Sequence, residues 1–154
     1  MSIHIGDDHT RVDVDGQHHI IPLGAVNLSR NELVTDPPRP EELTNAIGLV
    51  TDYIEDMLRE LPATAEADEV AIVGDLAIAI AAVEVGGTPS LPLSLIRSAV
   101  EDVFRTVATE SSAQRALNPG LPPVAVDTIV AACCIVVAVM RHLHLDAVDV
   151  GRRS

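Results

Sequence analysis

Residues 128–140, TIVAACCIVVAVM, run without a charge, a glycine or a proline. That run constrains the fold more than any other stretch. A bilayer-spanning helix needs about 20 apolar residues, so it is too short to cross a membrane. A helix that is apolar nearly all round must instead be surrounded by other parts of its own protein. A helix over residues 124–145 is therefore expected at the centre of the fold. The chain has 154 residues, 47% of them apolar, which suits one domain over 1–150 with a tail at 151–154. Tyr53 and Phe104 are its only aromatics, so the core has to be built from Ala, Val, Ile and Leu.

The second constraint is the stretch 20–43, IIPLGAVNLSRNELVTDPPRPEEL. Its β-branched, apolar opening reads as a strand to about residue 28. Asp36-Pro37-Pro38-Arg39-Pro40 then stops regular structure. Pro40 is suited to a helix's first position, and Glu41 and Glu42 suit its positive end. From there Leu43, Ala46, Val50, Ile54, Met57 and Leu61 recur at helical spacing, which predicts a helix over 40–61.

Around these two anchors the chain reads as α/β. Strands are expected over 3–5 and 10–14, with Asp15-Gly16 as a two-residue hairpin leading into a third strand over 17–28. A buried strand over 70–73 precedes an Ala-rich helix over 76–85. Ser94 is placed as the N-cap of a further helix carrying Ile96, Val100, Val103 and Val107. Ser111 and Gln114 have the spacing of a capping box, and a closing strand is expected over 148–150.

The net charge of −13, with ten Arg and no Lys, argues against nucleic acid as partner. It fits solvated helix faces. Cys133 and Cys134 are adjacent, so on a helix they point about 100° apart and do not share a metal; they are expected as core thiols in a reducing compartment. With no leader pattern after Met1, the expected location is cytoplasmic. A calcium loop on Asp13-x-Asp15-Gly16 fails, because its first and last ligand positions fall on Arg11 and Pro22. His18 and His19 point to opposite faces of a strand, and His142 and His144 do not share a helix face. No G-x-S-x-G, H-E-x-x-H or Cys/His pairing appears, so no catalytic residue and no metal ligand is assigned.

Four landmarks carry a resemblance: PLGAV with DPP-x-PEEL (22–26, 36–43), VGDLA (73–77), RALNPGL followed by DTIVAA (115–121, 127–132), and Val148-Asp149. In that order and spacing they resemble the Ppx/GppA family, the exopolyphosphatases and guanosine pentaphosphate phosphatases of the actin-like ATPase superfamily. The resemblance covers only the second of that family's two domains, without its final helix. It implies a ribonuclease-H-like fold: three antiparallel strands, then helix, strand, helices and strand.

The resemblance also implies where phosphate would bind. Gly6, Asp7, Asp8 and Thr10 fall on the family's first phosphate loop in this half, and Gly74 and Asp75 on its second. These six are the candidate phosphate-binding positions. Several depart from the family pattern. Asp7 and Asp8 stand where glycines would close around phosphate oxygens. His4 replaces the metal-anchoring Asp, and Arg11 the loop's terminal acid. Asp75 and Leu76 take a Gly and a Thr position, and Ala125 an Arg position. The expectation is a catalytically degenerate domain, without cofactor, acting as an interaction or regulatory module. The alternative is a phosphoanhydride hydrolase completed by a partner subunit, for which Asp7, Asp8 and Asp75 would hold Mg2+. A homodimer, or else a partner protein chain, is expected to cover the apolar helices 76–85 and 128–140.

Overall fold

The computed structural model describes residues 1–151. Strands β1 (Ser2–Ile5), β2 (Thr10–Val14) and β3 (Gln17–Ile21) form an antiparallel meander. Asp15 and Gly16 both have positive φ, 50° and 75°, the backbone that a two-residue hairpin requires. Strand β4 (Ala71–Val73) lies parallel to β1, and β6 (Ala147–Val150) parallel to β4. Strand β5 (Leu93–Ile96) pairs antiparallel with β6, giving one six-stranded sheet of order β3-β2-β1-β4-β6-β5. The fold is α/β with a mixed sheet.

Among the described residues the α-helices are α1 (Ala25–Glu32), α2 (Pro40–Glu60), α3 (Asp75–Val85), α4 (Arg97–Thr109), α5 (Ser112–Arg115) and α6 (Ile129–His142). Every residue of α6 from Ile129 to Met140 is buried, against α2 and α4 and also α1 and α3. Each large aliphatic side chain in such a place contributes about 1.5–3 kcal/mol of transfer free energy. Helix α2 buries Ala46, Val50, Ile54 and Met57, one stripe at helical spacing. Its start is fixed by Glu42, whose carboxylate accepts the Arg39 N–H at 2.8 Å and the Val34 N–H at 3.1 Å. Arg141 of α6 donates to both carboxylate oxygens of Glu101 on α4, at 2.9 and 2.6 Å, and holds that carboxyl below its usual range.

The sheet has two unlike faces. Ile3, Ile5, Val12, Ile72, Val148 and Val150 point into the core. His4, Arg11, Ile20, Ser94, Ile96 and Asp149 point the other way and are exposed.

The structure corrects the sequence reading in four places. Strand β3 stops at Ile21, and residues 25–32 are helical rather than extended. Pro22 has no N–H to give a ladder, and Gly24 lets the chain pass close against the backbone of Gly6 and Asp7, where α1 starts. Ser94 is not a helix cap: it lies within β5, whose Leu95 is buried against the sheet, and α4 starts only at Arg97. The last helix begins at Ile129 and ends at His142, preceded by a 3-10 turn at Pro123–Ala125 and left through His144 at φ 55°. Finally, of the two helices expected to leave apolar surface open, α6 does not, whereas α3 keeps Leu76, Ile78 and Val83 half-buried and Val85 exposed. Helix α6 is enclosed within the chain, and Ala77, Ala79, Ile80, Ala81 and Ala82 of α3 are buried as well. Of the expected tail, Gly151 donates to the Ile72 carbonyl at 3.1 Å; residues 152–154 lie outside the described residues.

Candidate functional site

Parallel pairing of β1 with β4 brings the two candidate phosphate loops side by side at the C-terminal ends of those strands. That is where ligands sit in α/β sheets. Gly6, Asp7 and Asp75 line one cavity of about 640 Å³. His4, Leu76 and Ala125 line it too, so five of the positions that depart from the family pattern share one space.

The first loop is tightly bound up with its own surroundings. Gly6 N–H donates to the His9 carbonyl at 2.9 Å, closing the turn. The first N–H groups of α1 donate to the same loop: Ala25 to the Gly6 carbonyl at 2.9 Å, and Val26 and Asn27 to the Asp7 carbonyl at 2.8 and 3.2 Å. A helix N-terminus of this kind is otherwise an anion site, but here its donors are taken by the loop. The Asn27 side chain accepts from Gly24 N–H at 2.7 Å and donates to the Asp8 carbonyl at 3.0 Å. A side chain at Gly24 would place its Cβ 2.5 Å from the Gly6 oxygen, so only glycine fits there.

Thr10 and Asp8 face elsewhere. Thr10 is buried and its hydroxyl donates to the Leu23 carbonyl at 2.8 Å, away from the cavity. Asp8 is exposed and binds the His9 ring Nδ1 at 2.8 Å, which holds its carboxyl below the ordinary range. With Asp7, Asn27 and Arg30 it borders a separate depression of about 460 Å³.

The second loop is built on Gly74, with φ 98°, a backbone that favours glycine. A Cβ there would lie 2.7 Å from the His4 ring, so the imidazole covers one side of this glycine. Asp75 opens α3, exposed at the positive end of that helix. The charged or titratable lining of the cavity is therefore Asp7, Asp75 and His4; among the described residues no arginine reaches it. The remaining wall is largely apolar, including Val26, Leu76, Ile78, Ala79 and Val124.

Arg115, buried in the RALNPGL landmark, holds loops together outside this cavity. Its guanidinium donates to the carbonyls of Val126 at 3.0 Å, Val107 at 3.1 Å and Glu110 at 2.6 Å, and lies 3.7 Å from Asp36. Asp36 accepts from the backbone and hydroxyl of Ser112 at 2.8 and 2.7 Å, and these bonds, with Arg115, hold its carboxyl below the ordinary carboxylate range. Asp36 thus ties the DPP corner to α5, which Ser111 caps as expected, accepting the Gln114 N–H at 3.2 Å. Sequence reasoning passed over Gly24 and Asn27; the signal was a glycine followed three residues later by an amide that reaches back to its N–H.

Among the described residues, no group of three or more His, Cys, Asp or Glu side chains is placed to hold a metal ion. Nor is any helix long and apolar enough to cross a membrane. No protein-family model matches the chain, and no curated protein sequence matches it. Solved structures do. The type II variant of the Aquifex aeolicus Ppx/GppA phosphatase superposes with a TM-score of 0.85 at 18% identity, over 100% of this chain and 53% of that one. An exopolyphosphatase-like protein matches with a TM-score of 0.85 at 15% identity, covering 99% and 55%. An exopolyphosphatase from Cytophaga hutchinsonii gives 0.78 at 14% identity, covering 99% and 53%. The chain thus spans about half the length of the structures it matches. It has the fold of one half of the Ppx/GppA phosphatase structures.

Proposed function

We propose that this protein is a catalytically degenerate Ppx/GppA-like half domain, a single unit over 1–150, that serves as an interaction or regulatory module. The observation that supports this most directly is the charge of the cavity where the two loops meet. It carries the carboxylates of Asp7 and Asp75 and the imidazole of His4, with no guanidinium among the described residues. A carboxylate beside a phosphate is repelled at close range unless a cation lies between them. The first loop adds to this, because Gly6 N–H and the first donors of α1 already have acceptors. A cavity of this composition takes neither phosphate nor a catalytic metal in our reading, and its residues transfer no proton. The module works in the cytoplasm through another protein chain or a second copy, not through nucleic acid or membrane.

The test is phosphate release from polyphosphate and guanosine pentaphosphate with Mg2+, alone and at high protein concentration. Release at the buffer rate is expected. Turnover that disappears in Gly74→Ala or Asp75→Ala would overturn the reading. One observation favours the second reading, hydrolysis completed by a partner subunit: both loops still open into a single cavity of about 640 Å³, in a chain half the length of its structural relatives. There Asp7 and Asp75 would carry Mg2+ and the partner the missing cationic groups, so activity would appear only on mixing.

A further inference from the structure

Beyond the C-terminal end of α1 lies a separate cavity of about 260 Å³, lined by Arg30, Asp36, Arg115 and Asp127 and by the apolar Leu33 and Val130. It shares no lining residue with the loop cavity. One wall holds the Arg115 guanidinium, whose side chain is only 8% exposed. Three of the five N–H donors of that group are used: Nε by the Val126 carbonyl, and Nη1 by those of Val107 and Glu110. Nη2 makes no hydrogen bond among the described residues. Asp36 Oδ1, on the same lining, is 3.7 Å away, beyond hydrogen-bond distance, and already accepts the Ser112 N–H at 2.8 Å. Two N–H groups of a nearly buried cation thus remain for an acceptor supplied through the cavity. Arg30 and Asp127 are exposed on the same lining, and among the described residues neither side chain has an ion pair or a hydrogen bond.

We infer that this cavity binds a free α-amino acid with an aliphatic side chain. The carboxylate accepts from Arg115 Nη2 and Arg30, the ammonium faces Asp127, and the side chain lies on Leu33, Val34 and Val130. The lining selects a ligand that carries both charges. A simple anion would meet the carboxylates of Asp36 and Asp127, and a simple cation would meet two guanidinium groups. A zwitterion answers both, and guanidinium groups hold carboxylates through charge-assisted bonds. Val34 stands on the lining at 69% exposure, apolar surface that an aliphatic side chain covers. Size sets the other limit: pockets for drug-sized ligands run from about 300 to 1,000 Å³, so this smaller one suits a single amino acid rather than a peptide. Its lining comes from α1, the DPP corner, α5 and the start of α6, so a bound ligand ties four separate segments together. The inference does not depend on what the loop cavity does.

The probes are L-leucine, L-isoleucine and L-valine, titrated into the full chain to about 10 mM and followed by the backbone amide NMR signals of Arg30, Ser112 and Asp127. Three matched compounds each lack one feature of L-leucine: leucinamide the carboxylate, N-acetyl-leucine the ammonium, glycine the side chain. At least one aliphatic amino acid should bind, and the matched compounds should bind about tenfold more weakly or not at all. Arg30→Gln and Asp127→Asn should each lower its affinity by a similar factor. Both variants should melt as the wild type does, since neither side chain has a partner to lose among the described residues. Substitution of Arg115 would also break its three carbonyl bonds, so the exposed pair carries the test. No shift with any of the three amino acids would overturn the inference. So would equal binding of leucinamide or N-acetyl-leucine, or an affinity indifferent to both variants. Acetate or inorganic phosphate binding as tightly as the amino acid would reveal a plain anion site and overturn it as well.

Discussion

The loops after β1 and β4 occupy equivalent places, at the ends of neighbouring parallel strands, yet they are held in opposite ways. The first is fixed by its own backbone: Gly6 N–H to His9, the first donors of α1 to Gly6 and Asp7, and Asn27 bridging Gly24 and Asp8. The second has a single glycine at positive φ, an imidazole laid over it and a helix that starts at once. A loop whose donors are satisfied internally is rigid and has little left to offer an anion. A loop that turns on one glycine keeps its place through backbone conformation, and its neighbour is a movable side chain. In this molecule one loop is held by hydrogen bonds and the other by backbone conformation.

The strongest way to break this comparison is Gly24→Ala. The new Cβ would press on main-chain atoms of Gly6 and Asp7 at 2.5 Å, and no rotamer relieves that. A loss of about 3 kcal/mol in urea melts is expected, as for severe overpacking. Gly74→Ala should lose less, about 2 kcal/mol from its strained φ, since the His4 ring can swing away. If the two glycines cost the same, the loops are not held differently. Adding His4→Ala to Gly74→Ala sharpens the point: the steric share should be recovered and the φ share should remain, so the double variant should sit between wild type and Gly74→Ala.

Asn27→Ala comes next, with an expected loss of about 1–2 kcal/mol from the bonds to Gly24 and Asp8 that it removes. Hydrogen exchange at Gly24 should accelerate, while exchange in α3 should not. The smallest effect belongs to Asp8. Its folded-state carboxyl lies below the ordinary value of 3.8, chiefly through the His9 bond. The stabilisation it gives is complete above that value and is lost as pH falls through the lowered one. Asp8→Asn should therefore flatten slightly the acid limb of a stability profile below about pH 4 and leave neutral pH unchanged. A change confined to pH 6–8 would mean that a different group is responsible.

Much of this fold was legible where the signals are local. Pro40, Glu41 and Glu42 mark the start of α2, Asp15-Gly16 marks the hairpin, and Ser111 with Gln114 marks α5. The errors came where a distant partner decides. LSLI at 93–96 becomes a strand because Val148 and Val150 offer it a sheet edge, which no local pattern announces. Residues 25–28 look β-prone, yet they are helical because the first loop supplies acceptors for the opening N–H groups of α1. The candidate site divides likewise. Its residues were found through a resemblance, and two of them, Thr10 and Asp8, turn out to face away from the cavity. That Asp7 and Asp75 share one space depends on the β1–β4 pairing, which joins positions far apart in the chain.

The pair of thiols in the middle of α6 gives the molecule a clock of its own. Burial pushes the Cys133 thiol far up and raises that of Cys134 to about 12, so neither forms the reactive thiolate while the helix stays packed. An alkylating reagent can reach them only through openings that expose the innermost helix. Because the two are adjacent, such an opening should deliver both adducts together, and mass spectrometry would see unmodified and doubly modified chains with little between. The rate at which the second population grows measures how often the core comes apart under native conditions. No cysteine would need to be introduced or removed, since cysteine occurs nowhere else in the chain.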